Sequence, residues 1–179
     1  MHNTTIQTLY NTMSGEAEAK DPNDSFDERK LYVLIDNEEF DEVIEFLNNK
    51  SFTAKYKTAA VNCKYDRANW TTLMNASYIR APLVLVKQLC EIGGKDLIMA
   101  KSNYGSTALH FACGKGGDPN LDTVKLLVEK GRKELLIIQN NNGETALDLV
   151  NDREGDVYKY LLNAGDYLCS SIVGLVICE

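Results

Sequence analysis

The sequence predicts an all-α fold, an α-solenoid of about four helix-loop-helix repeats with short hairpin fingers, on three observations. Asn103 to Gly131 reads as turn, helix, glycine-rich break, second helix and stop. Leu109, Ala112 and Cys113 share one helix face, and Val124, Leu126, Leu127 and Val128 give the second helix a broad apolar stripe. The stretch also recurs: Thr107-Ala108-Leu109 matches Thr71-Thr72-Leu73 and Thr145-Ala146-Leu147 at offsets of 36 and 38 residues, and the second halves match as Val84 to Gly93, Val124 to Gly131 and Val157 to Gly165. Finally, the chain holds only 3 Pro and no sustained strand alternation. A unit of two short helices cannot bury its own stripes, so the copies must stack and share a core.

At these residues the chain resembles the ankyrin-repeat family, whose repeat of about 33 residues carries a Thr-Pro-Leu-His-x-Ala signature. Thr107-Ala108-Leu109-His110-Phe111-Ala112 matches the signature everywhere but at Ala108, where the family has Pro. Met74 and Asp148 stand at the His position of the neighbouring copies, and Ser77 and Asn151 replace the small apolar residue that Cys113 supplies. The resemblance covers residues 25–165 and implies repeats at about 25–60, 66–100, 102–138 and 140–165. It gives Thr107, Leu109, His110, Thr145 and Leu147 structural places, His110 bonding the backbone of neighbouring loops.

Taken in order, residues 1–24 are polar and aperiodic and read as a mobile N-terminal arm. Ser25 and Glu28 form a capping box before an apolar run. Leu31, Leu34 and Ile35 are the buried face of the first helix, and Phe40, Val43, Ile44, Phe46 and Leu47 that of its partner. Residues 49–64 exceed an ordinary hairpin, so either the finger is enlarged or a helical turn is inserted. Trp70, the single tryptophan, falls on the next finger and either anchors a partner or packs on Tyr65 and the insertion. Pro82 suits a helix start, and Asp118-Pro119 a cap followed by proline. Gly143 stands where a finger requires positive φ. Residues 166–179 form an apolar C-terminal segment that either folds back over the last helices or continues in a longer chain. It is shorter than the roughly 20 apolar residues of a bilayer span.

Composition narrows the function. A hydrophobic content of 44 % is ordinary for a soluble globular chain, and a net charge of −7 argues against a general nucleic-acid binder. Residues 1–60 carry 12 acidic and 6 basic side chains, an acidic end suited either to a basic partner or to keeping a terminal repeat soluble. Five cysteines in no paired pattern, and no signal peptide, point to a reducing, intracellular and cytoplasmic setting. Cys90 and Cys113 read as small core residues.

No catalytic constellation is assembled. His110 and Cys113 are one turn apart but lack further ligands or an orienting acid, since the only other histidine is His2. Gly114-Lys115-Gly116-Gly117 has neither phosphate-binding spacing and reads as a loop between helices. The chain is therefore expected to be a non-catalytic, cofactor-free monomer that binds another protein. The alternative is a regulatory or anchoring fragment of a longer protein, docking a catalytic or membrane domain in cis. The resemblance implies contacts from finger tips and first helices, which are Arg67, Trp70 and Tyr78, then Asn103, Tyr104, Ser106 and Lys115, then Asn142 and Glu144.

Overall fold

Two rows of helices stack along the chain with one continuous core between them, in a computed structural model that describes residues 29–65, 68–114 and 119–173. The first row contains α1 (Arg29–Asp36), α4 (Thr72–Tyr78) and α6 (Ala108–Gly114), packed in that order. The second row contains α2 (Phe40–Asn48) with α3 (Ala54–Asn62), then α5 (Leu83–Met99), α7 (Leu121–Leu136) and α8 (Asp156–Val173). Strands β1 (Lys64–Tyr65) and β2 (Trp70–Thr71) pair antiparallel and form the first finger. The arm, the Ser25–Glu28 box, Arg67, Lys115 and residues 174–179 lie outside the described residues.

The apolar stripes bury as their spacing dictates. Leu31, Ile35, Leu73, Leu85, Leu89, Leu109 and Leu127 have no solvent exposure, and Cys90 and Cys113 are buried beside them. Val43, Phe46 and Leu47 are buried on α2, whereas Phe40 and Ile44 are only partly covered.

The stretch 49–64 holds a whole inserted helix. Thr53 caps α3 by accepting from the Tyr56 amide at 3.2 Å. Phe46, Phe52 and Tyr56 bind it to α2 through ring centroids 4.8 to 6.2 Å apart. Its buried end is tied on by Thr72, whose hydroxyl donates to the Val61 carbonyl at 2.6 Å.

The second helices do not stop at Gly93 and Gly131. Each winds on to the following residue, Gly94 or Arg132, which breaks the helix at φ 61° and 54°, and then resumes for one turn. The two glycines serve closeness: a Cβ would lie 2.4 Å from Leu97 at Gly93 and 2.5 Å from Leu135 at Gly131. α7 is capped by Asn120, whose side chain accepts from the Asp122 and Thr123 amides, two residues beyond the expected cap Asp118, which lies outside the described residues. Pro82 is itself the N-cap residue of α5. In the fourth copy the first helix shrinks to turns over residues 146–149, and α8 runs through Gly165 without a stop.

Candidate protein-binding surface

Each of the last three repeats begins with a threonine whose amide is satisfied by the side chain three residues on. Thr71 N–H donates to Met74 Sδ at 3.5 Å, Thr107 N–H to His110 Nδ1 at 3.2 Å, and Thr145 N–H to Asp148 Oδ2 at 2.8 Å. Because Nδ1 of His110 accepts, its proton sits on Nε2, which donates to the Glu144 carbonyl 3.1 Å away on the next finger. Burial is the main cause that holds the His110 pKa below its ordinary value, so the ring is neutral. At Asp148 the Thr145 hydroxyl, helped by the Thr145 amide, lowers the carboxyl pKa.

The fingers are joined into a ladder. Asn103 N–H donates to Ala68 O at 2.8 Å, and Asn141 N–H donates to Tyr104 O at 2.9 Å. Side chains repeat the pattern: Asn69 Nδ2 meets Asn103 Oδ1 at 2.6 Å, and Asn141 Nδ2 meets Asn103 O at 2.8 Å. Within fingers, Ser102 Oγ accepts from the Tyr104 and Ser106 amides, and Asn140 Oδ1 from those of Asn142 and Glu144. Asn69, Gly105 and Gly143 hold the same turn position with φ of 55°, 73° and 80°, a conformation that glycine takes freely and asparagine tolerates.

This ladder separates the expected contact residues into two groups. Asn103 is engaged on both flanks, and Glu144 Oε2 accepts from Asn140 and Asn142 side chains, so these polar groups are committed within the fold. Ser106 is half-buried in its finger. Tyr104 projects, 62 % exposed, from the third-repeat finger.

Trp70 does not pair with Tyr104. The 36-residue offset sets Ser106 opposite Trp70, and the indole turns instead toward the first-row helices. Its ring centroid lies 5.3 Å from Tyr78 at the end of α4 and 4.2 Å from Phe111 on α6, with Tyr78 and Phe111 6.3 Å apart. The three rings are steeply tilted to one another, Trp70 and Phe111 are half-buried, and Tyr78 is 37 % exposed. Phe111 escaped the sequence reading. Its signal is that it stands off the Leu109, Ala112, Cys113 stripe, a large ring where a packed helix shows its other side.

Among the described residues, no group of three or more His, Cys, Asp or Glu is placed to hold a metal ion, and no helix is long and apolar enough to cross a membrane. Cys90 and Cys113 are free thiols, and burial pushes both up to about 12, far from a reactive thiolate.

Comparison with known proteins agrees with the architecture. The family model for ankyrin repeats, three copies, matches residues 31–135 and 73–170. No curated protein matches the sequence. Among solved structures, one chain of the crystal structure of the yeast ribosomal protein Rps3 in complex with its chaperone Yar1 is similar at 20 % identity and a TM-score of 0.63, covering 83 % of this chain and 97 % of that one.

Proposed function

This chain belongs to the ankyrin-repeat family, and on that footing we propose that it is a monomeric, non-catalytic module that binds one protein partner through its first-row helices and finger tips. The observation that carries the reading is the Trp70, Tyr78 and Phe111 cluster. Aromatic rings that bridge two repeats yet stay partly open to solvent are the side chains that anchor interfaces, a few of which supply most of the binding energy. Tyr104 stands one finger further along and extends the same surface. The hydrogen-bonded fingers hold these rings in place before a partner arrives, which lowers the ordering cost of association.

The reading is tested by capture from cell extract with wild-type protein, Tyr78→Ala and Tyr104→Ala, with melting temperature measured on each. A partner held by the wild type and lost with Tyr78→Ala while the protein stays folded at the assay temperature is the expected result. Equal capture by all three proteins places binding elsewhere and overturns it.

A further inference from the structure

The inserted helix carries charge of the opposite sign to the chain. Residues 46–65 hold four lysines and no Asp or Glu, in a sequence of net charge −7. One of the four is committed: Lys57 donates from Nζ to the Leu47 carbonyl at 2.6 Å, at the C-terminal end of α2. Lys50, Lys55 and Lys64 are exposed, and none of them is in an ion pair among the described residues. Ala60 and Val61 turn inward, so the outward stripe of α3 is Lys55, Thr58 and Ala59, three and four residues apart and all exposed. Lys50 precedes this stripe and Lys64 follows it on β1. The first turn of α3 holds no acid, whereas α2, α7 and α8 begin with Asp41 and Glu42, with Asp122 and with Asp156. The positive end of the α3 dipole therefore adds to Lys50 and Lys55, with no carboxylate in its own first turn to neutralise it.

We propose that this strip is a second interaction surface, which takes a short, extended, acidic segment of a partner protein. The 9 residues of α3 rise about 13 Å. About four residues of extended chain cover that length, so carboxylates four residues apart reach Lys50 or Lys55 at one end and Lys64 at the other. Thr58 and Ala59, between those ends, are too small to hold the segment off, and the three cations attract and orient it before contact. A long polyanion is matched less well. Residues 36–45, on α1 and α2 beside α3, bear six acids and no base, and a nucleic acid or an anionic bilayer reaching past the strip would meet that opposing field. The strip lies on an element that a repeat of about 33 residues does not contain, so it stands independently of the aromatic cluster.

The test titrates the full, isotope-labelled chain and follows amide chemical shifts and binding heat. The probes are a Gly-Ser peptide with glutamate at every fourth position, its glutamine counterpart, and a uridine oligonucleotide of equal charge. The glutamate peptide should move the amides of Lys50 to Lys64 saturably, with affinity falling as salt rises, and the glutamine peptide should move none of them. Lys55→Gln with Lys64→Gln should weaken binding roughly twofold to thirtyfold, the loss expected for two exposed ion pairs. Lys87→Gln with Lys159→Gln, which changes exposed lysines on α5 and α8, should leave binding unchanged. All four positions are exposed, so both double variants should keep the melting temperature of the wild type.

An absence of shifts with the glutamate peptide overturns the proposal. So do shifts spread as strongly over Lys87, Lys125 and Lys159 as over the strip, or equal losses in the two double variants, since either means attraction to lysines in general. Tighter binding of the oligonucleotide at the same residues overturns the acidic-peptide class. These outcomes leave the capture experiment with Tyr78→Ala untouched, so the two surfaces are judged separately.

Discussion

Arg132 and Gly94 occupy the same kink in successive repeats, with φ of 54° and 61° and ψ of −151° and −156°. In this region the Cβ of any other residue collides with its own backbone, and a side chain there costs about 1–3 kcal/mol. Arg132→Gly removes that strain, while the freer unfolded chain costs about 0.5–1 kcal/mol. Arg132 is exposed, so little packing is lost. The net expectation is a stabilisation of about 0.5–2 kcal/mol, or roughly 1–8 °C in melting temperature for a chain of this size. Gly94→Ala supplies the converse: nothing lies within 4 Å of its added Cβ, so any loss of stability is a backbone effect. Urea denaturation followed by far-UV circular dichroism measures both. A lower midpoint for Arg132→Gly, or an unmoved one for Gly94→Ala, would refute the reasoning.

Two further outcomes follow from the site geometry. Burial lowers the His110 pKa, so the unfolded chain takes up the proton first; stability should be level above about pH 7 and decline as pH falls below about 6.5, by at most about 1.4 kcal/mol per pH unit. Denaturation midpoints between pH 7.5 and pH 5.5, ranges set by the ordinary histidine pKa, should show this slope in the wild type and lose it in His110→Gln; an equal slope in both would clear His110. Trp70→Ala should cost about 1–3 kcal/mol because it strips two ring contacts from a half-buried side chain, whereas Tyr104→Ala should stay within about 0.5 kcal/mol of wild type. Melting curves of the two single variants check this, and a stability-neutral Trp70→Ala would show that the rings do not brace one another.

What could be read from the sequence was what repeats. Thr107 and Leu109 recur by position, and an apolar stripe at helical spacing can do little except face a core. The failures share a physical origin in contacts between repeats or in local competition. The helix Ala54–Asn62 has a weak stripe, with only Ala60 and Val61 buried, and depends on distant partners such as Phe46 and Thr72. The fourth copy keeps Thr145-Ala146-Leu147, yet Asp148 takes both the amide and the hydroxyl of Thr145, and Asn151-Asp152 follow at once. Such side chains compete for backbone groups and favour turns over helix. Arg132 gave no warning because its conformation is written in its repeat mate Gly94 and not in its own residue type.

The same distinction assigns roles within the surface. A polar finger residue whose donors and acceptors are already satisfied gains little by turning toward a partner, since it must first give up a hydrogen bond of comparable worth. Asn103, Asn142 and Glu144 already make such bonds within and between the fingers. An aromatic ring has no such commitment. Trp70, Tyr78 and Phe111 pack on one another and are still partly exposed, so they can support the stack and present apolar surface outward. On the function proposed above, the rings supply recognition and the asparagine ladder supplies rigidity.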